Sequence, residues 1–389
     1  MPGAPGSRWP WIIVHAVLIQ VLTYAVRPGL SFAVLEAGGQ EAVIGLLATS
    51  FALPALLLAL PAGRLTDGRG ERTIAVLGSV LLVAAIGIAL VSLQSVAGLM
   101  VAALVLGVGH LLSIISEQTA VANRSKVGSR ESAFGLYTLA ASIGQTLGPL
   151  LLAIPNPAGP GPNLQLVFWC AMGAAVLLGV ASLFLGSGSR GASTAKRPGS
   201  FASSRKILRE PGAFRAVVAG GIAIASVDVT LAFWPALSTQ PGVSAALVSL
   251  MLTSRALATL ASRAALPSLS RRLSRRMLLL ISLGAAAVTL ALTGLPIGPI
   301  WLVVAAVLYG FAIGVTQPIT MAWLTDVAPE DQRGLALSLR LVGNRLAQSL
   351  IPAGAGLLTP LTGGGGVLVA IGASLAAAAT VAYTQKKRE

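Results

Sequence analysis

Apolar stretches of about 20 residues recur along the whole of this chain with short breaks between them, and that is the length a helix needs to cross roughly 30 Å of hydrocarbon. They lie near residues 11–34, 42–62, 74–93, 97–122, 132–154, 164–186, 214–236, 244–266, 277–295, 299–324, 334–358 and 366–384. A soluble core cannot take up so much apolar surface: 55% of the 389 residues are hydrophobic, 10% are charged, and the mean hydropathy is +0.84. The expected fold class is an all-α membrane protein with about 12 transmembrane helices.

A net charge of +15 would point to nucleic acid as a partner of a soluble protein. Here the charges follow topology instead. Alternate loops carry Arg64, Arg69 and Arg72, then Arg124, Lys126 and Arg130, then the stretch from Arg190 to Arg215, then Arg271, Arg272, Arg275 and Arg276, then Lys386 to Arg388, while the opposite loops carry no Lys or Arg. The positive-inside rule places both termini in the cytoplasm of a bacterial-type inner (plasma) membrane and requires an even number of crossings. Such loops face anionic headgroups, so membrane lipid is an expected partner and nucleic acid is not. The N-terminal MPGAPGSRWPW has no small-residue cleavage site after a short apolar core, so the first span is expected to stay as an uncleaved anchor.

Enzymatic chemistry has little raw material. The single cysteine, Cys170, lies within the sixth span, and only two histidines are present. No zinc pair, nucleophile with a base or phosphate-binding glycine loop is found, so no enzyme activity, metal or cofactor is expected.

Between spans six and seven runs GSGSRGASTAKRPGSFASSRKILREPGAF, whose Gly/Ser/Arg composition suits a cytoplasmic linker with nothing packed. It divides the chain into an N-terminal six-helix bundle (1–186), the linker (187–213) and a C-terminal six-helix bundle (214–389). Shifting the sequence by 203 positions superposes Gly107 on Gly310, Arg130 on Arg333, Ala133 on Ala336, Gln145 on Gln348, Thr146 on Ser349 and Pro149 on Pro352 without a gap. The halves therefore look like a duplication, and transporters with such repeats bind substrate where the repeats meet.

Spans 3, 6, 9 and 12 hold no charged side chain and are expected to face lipid. Other spans carry polar stripes at helical spacing: Gln20, Tyr24, Arg27 and Ser31 in the first, His110, Ser113 and Glu117 in the fourth, Ser226, Asp228 and Thr230 in the seventh, Arg255 and Thr259 in the eighth, Thr316, Gln317 and Thr320 in the tenth, and Arg340, Asn344 and Gln348, with Arg345 beside them, in the eleventh. An ionisable side chain near the bilayer centre costs on the order of 2.5–3.5 kcal/mol, so it normally faces a cavity or a partner. Arg27, Arg255, Arg340 and Arg345 outnumber Asp228 and Glu117 by two. The candidate substrate and proton cavity therefore comprises Arg27, Tyr24, His110, Glu117, Asp228, Arg255, Gln317, Arg340, Asn344 and Arg345. Plainer readings stand beside it: Asp228 paired with Arg27, Glu117 in a cytoplasmic gate pair, and His110 bonded to a neighbouring helix.

The loop after the second span reads Gly63-Arg-Leu-Thr-Asp67-Gly-Arg-Gly70-Glu-Arg72, which resembles motif A of the major facilitator superfamily, G-x-L-a-D-r-x-G-r-r. The resemblance implies a cytoplasmic gate at Gly63, Asp67, Gly70 and Arg72, with glycines for a tight turn and close helix approach. Gly68 and Glu71 stand where the family usually has basic residues, so the charge relay must differ, with Arg72 a candidate to take it over. In the fifth span Gly144-Gln-Thr-Leu-Gly148-Pro149 is similar to the G-x-x-x-G-P core of motif C of exporters that exchange substrate for protons, although such pairs also serve plain helix packing. Asp326-Val-Ala-Pro-Glu-Asp-Gln-Arg333-Gly334 resembles the family's loop before the eleventh helix. The fourth span has Ala103 about where the arginine of motif B would stand.

The resemblance implies two pseudo-symmetric six-helix bundles that rock about a central cavity lined by spans 1, 4, 7 and 10. The expected function is secondary transport of a small organic molecule by alternating access, with proton-coupled efflux (antiport) first. Uptake or exchange of a small organic anion is the alternative, and a non-transporting membrane enzyme or receptor a remote one. The expected partners are a small-molecule substrate, anionic in the alternative reading, and protons, acting on a monomer.

Overall fold

The structure, a computed structural model, describes residues 8–125, 130–157, 159, 161–186, 201–210, 212–327 and 333–383. Hydrocarbon offers no hydrogen bonds to the backbone, so apolar runs of this length fold as helices, which pair their own amides and carbonyls. The first six are α1 (Trp9–Glu36), α2 (Glu41–Arg69), α3 (Glu71–Val91), α4 (Val96–Arg124), α5 (Arg130–Leu147) and α6 (Leu164–Phe184), with α5 extended by a 3-10 turn over Gly148–Ala153. Then follow α7 (Phe201–Arg209), α8 (Ala213–Phe233), α9 (Ala245–Arg272), α10 (Arg275–Thr293), α11 (Pro299–Gly314), α12 (Thr316–Val327) and α13 (Arg333–Tyr383).

Among the described residues, 11 helices are long and apolar enough to cross a membrane. The last of these, Leu339–Val381, is 43 residues long and lies within the 51 residues of α13. A straight helix of that size would measure about 76 Å, more than twice the hydrocarbon thickness. It is broken at Gly363, where φ is 66° and ψ 174°, a backbone conformation open to glycine and costly for other residues. α13 thus supplies both the eleventh and twelfth expected spans. The tenth is made of α11 and α12, which are interrupted only at Val315.

The chain divides into two compact units, Met1–Ser193 with Ser244–Thr253 and Thr194–Val243 with Ser254–Glu389. In the first, α4 crosses α2 at Gly107, where a Cβ would run into the backbone of Phe51. In the second, α11 crosses α9 at Gly310, where a Cβ would run into the backbone of Arg255. The two crossings sit at almost the 203-residue offset of the sequence repeat, so the shared glycine marks the same close approach in each half. α5 meets α1 through Gly144, packed on Val17 and Gln20, and Gly148, packed on Val21 and Tyr24. The corresponding contact of α13 with α8 has Ala347 at the repeat position and takes its clearance from Gly221 instead. Small residues let membrane helices approach closely, and dispersion between their backbones holds the pair.

One expectation about the linker is corrected. Residues 187–200 and 211 lie outside the described residues, but 201–209 form α7, and Ile207 is buried with Ala213, Val217, Leu324 and Ala336. Composition averaged over the whole stretch hides a nine-residue amphipathic helix whose Arg205, Lys206 and Arg209 stay exposed.

The glycine crossings predict a contrast. Gly107→Ala and Gly310→Ala should each lower the thermal stability of the detergent-purified protein by about 1–3 kcal/mol through overpacking. Gly173→Ala, with no atom within 4 Å of the added methyl, should leave stability unchanged or slightly raised.

Candidate functional site

In the first unit α1 carries Tyr24 and Arg27 at helical spacing, half-buried, and α4 brings His110 level with them. Thr23 Oγ1 and His110 Nδ1 are 3.1 Å apart. Phe51 of α2 lies between two expected site residues: the Arg27 guanidinium sits 4.2 Å from its ring centroid and the His110 ring 5.4 Å away. The ring face offers the cation an attraction of about 0.5–2 kcal/mol without neutralising its charge. Phe51 was not legible as a site residue, since a phenylalanine in an apolar span looks like any core residue.

Glu117 belongs to a different place. It is 0% exposed, and so is His15, whose Nδ1 lies 2.5 Å from Glu117 Oε1. Tyr137 donates its hydroxyl to Glu117 Oε2 at 2.9 Å, and His15 Nε2 is 2.9 Å from Ser182 Oγ. Glu117 therefore sits inside the packing of α1, α4, α5 and α6, away from the half-buried face of Arg27 and His110. Sequence reasoning missed His15. A usable signal was depth: His15 is six residues into α1 and Glu117 seven from the end of α4, so both lie at similar distances from the same membrane face.

The motif A turn is also rearranged. α2 ends and α3 begins around Gly70 alone, at φ 86°, which demands a glycine. A Cβ added at Gly63 would meet no neighbouring helix within 4 Å, and Asp67 is exposed. Arg72, the residue considered for the relay, is exposed; the buried member is Glu71. Glu71 Oε1 accepts from Asn123 Nδ2 at 2.8 Å and from Arg124 Nη1 at 3.5 Å, and Arg124 Nη2 donates to the carbonyls of Leu185 and Gly186 at the end of α6. The acid that departs from the family pattern thus ties α3 to α4 and α6.

In the second unit α8, α12 and α13 bring together Asp228, Gln317, Arg340, Asn344 and Arg345, and α9 carries Arg255. All are buried except Gln317 and Arg345, which are half-buried. Two amides relay the charges. Arg345 Nη1 donates to Gln348 Oε1 at 3.1 Å, and Gln348 Nε2 donates to Asp228 Oδ2 at 2.8 Å. Arg340 Nη2 donates to Gln317 Oε1, and Gln317 Nε2 donates to the Gly220 carbonyl at 3.0 Å. Among the described residues Arg340 thus bonds a neutral amide alone, and its Nε and the Asn344 Oδ1 one turn on have no hydrogen-bond partner. Gln348, the repeat mate of Gln145, is a further site residue here; Gln145 Nε2 makes a longer contact, 3.4 Å, to Gln20 Oε1.

Asp326 before the loop that resembles the family's is exposed and paired with Arg275; residues 328–332 of that loop lie outside the described residues. Gly144, Gly148 and Pro149 lie at the α5–α1 contact described above.

A sequence model of the Major Facilitator Superfamily matches residues 13–234 and 216–389. Among curated proteins no sequence relative is found. Solved structures with the same fold include the nucleoside transporter NupG, 13% identical, with 97% of this chain and 100% of that one covered at a TM-score of 0.80. A D-xylose-proton symporter is 15% identical, with 97% and 98% covered at 0.76. The human organic anion transporter MFSD10 (TETRAN) is 16% identical, with 98% and 100% covered at 0.65.

Burying an ion without a counter-charge is costly, and replacing such a group by an apolar one of similar size is often neutral or stabilising by about 1–4 kcal/mol. Arg340→Met should therefore leave the melting temperature of the ligand-free protein unchanged or raised. A clear fall would mean that the guanidinium is already compensated.

Proposed function

The chain belongs to the Major Facilitator Superfamily, and from that premise we propose that it transports a small organic anion across the inner (plasma) membrane by alternating access, coupled to protons. It is a transporter and not an enzyme. The observation that carries the anion reading is Arg340, a buried guanidinium whose hydrogen bonding stops at the neutral Gln317. A carboxylate or phosphate on the substrate would supply the missing counter-charge and offset a desolvation cost of several kcal/mol. The open acceptor at Asn344 Oδ1 suits a substrate that also bears a hydroxyl or amine. Arg255 and Arg345 add to the positive field that draws such an anion in.

Export is the direction we favour, on the motif C-like segment: Gly144 and Gly148 hold α5 against the stretch of α1 that carries Gln20 and Tyr24. Uptake in symport with protons is the second reading, supported by Ala103, a buried alanine where the exporters' motif B arginine would stand. Both readings put the termini in the cytoplasm, on the distribution of basic loops, and treat the protein as a monomer.

A thermal-shift panel of small organic anions, cations and neutral compounds tests the substrate class. A ligand present at about 100 times its dissociation constant stabilises by roughly 2.7 kcal/mol. Organic anions should raise the melting temperature of the wild type, and Arg340→Met should lose that shift. Stabilisation by cations alone would overturn the anion reading. Everted membrane vesicles, loaded with the stabilising anion under an imposed pH gradient, then separate export from uptake by the sign of its movement.

A further inference from the structure

The hydrogen bonds around His15 amount to a count of protons. Ser182 has one hydroxyl hydrogen, and its Oγ lies 2.8 Å from the Leu178 carbonyl, which can only accept. Ser182 Oγ is then the acceptor of its contact with His15, so Nε2 carries a hydrogen. The 2.5 Å contact of Nδ1 with Glu117 Oε1 needs one more, either on Nδ1, giving an imidazolium beside a carboxylate, or on Oε1, giving a neutral imidazole beside a carboxylic acid. Both forms hold one proton more than a neutral histidine and an ionised glutamate. Charge accounting agrees: with the extra proton the pair is neutral overall, and without it a net negative charge, held by the Tyr137 hydroxyl alone, would sit beside the apolar cluster of Ile12, Ala16, Ala75, Ala120, Val121 and Ala140.

We propose that His15 and Glu117 form an occluded proton-binding site of the first unit, separate from the face of Arg27 and His110. The groups that face it are few. α5 brings Tyr137, whose hydroxyl holds Glu117 Oε2, and α6 brings Ser182, with its one titratable residue, the exposed Cys170, more than three turns away. α4 carries Arg124 two turns beyond Glu117, and α3 carries Glu71, which is engaged by Asn123 and Arg124. On α1 the nearest charges are Arg8 before the helix and Arg27 more than three turns on. With both members 0% exposed, the proton has no contact with solvent in this conformation. Its place in a transport cycle rests on the reading of the chain as an alternating-access transporter, whereas the proton inventory is independent of any transport assay.

Because the chain has two histidines, 15N-histidine NMR of the detergent-solubilised protein at neutral pH resolves the question, with His110→Gln assigning the signals. Infrared spectroscopy of the same sample reports whether Glu117 is a carboxylate or an acid. The expected result is one of the two proton-holding forms, lost in Glu117→Gln, where His15 becomes an ordinary neutral imidazole. A neutral His15 with a bare Nε2 beside an ionised Glu117, which follows if Ser182 turns its hydroxyl towards the ring, overturns the proposal. A second readout is the proton released on unfolding in weakly buffered solution above pH 7, where free histidine is neutral and free glutamate ionised. Wild type should release one proton per chain more than Glu117→Gln, and equal release would also overturn the site. If Glu117→Gln does not fold, the wild-type spectra alone still decide, and Tyr137→Phe should keep the proton while shifting the Glu117 carboxyl band.

Discussion

A backbone amide or carbonyl left bare in hydrocarbon costs several kcal/mol, and everything else in this protein is arranged under that constraint. It makes each span a helix, and it leaves side chains as the only means of telling one helix face from another. Because lipid is as apolar as leucine, association cannot rest on hiding leucines; it rests on how closely two backbones approach. The glycines at 107 and 310 set that approach in matching places in the two units, and Gly144, Gly148 and Gly221 set it for the pairs that carry polar residues.

The same low dielectric that forces helices also sorts the ionisable groups by how each is compensated. Glu117 has a histidine, Glu71 an arginine and an asparagine, and Arg27 an aromatic face. Gln348 hydrogen-bonds both Arg345 and Asp228. Arg340 stands apart with a neutral partner, and that imbalance is why a ligand, rather than the fold, is the natural source of its counter-charge.

Much of this was legible in the sequence for definite reasons. Twelve apolar runs, their charge asymmetry and the 203-residue offset follow from periodicities that survive without coordinates, and the family motifs pointed to the correct superfamily. What was not legible was pairing. His15 and Glu117 are 102 residues apart, and nothing local marks a histidine in the second turn of a helix as the partner of a glutamate near the end of another. Glu71 looked like a defect in a motif because its partners, Asn123 and Arg124, come from a different helix. α7 was obscured by the glycine and serine around it, although Ile207 and Leu208 amid basic residues carry an amphipathic pattern once the window is short enough.

The break at Gly363 bears on how the chain enters the membrane. Thr362 is followed by four consecutive glycines, and the apolar arms on either side make up one stretch of 43 residues with no charged loop between them. An insertion machinery that recognises the end of a helix by emerging charged residues meets none here until the second arm has been made, since only Thr359 and Thr362 are polar at the turn. The two arms are then delivered as a hairpin whose turn is written into backbone freedom rather than into hydrophilicity, so a side chain with a Cβ at position 363 would be felt during biogenesis as well as in the finished fold.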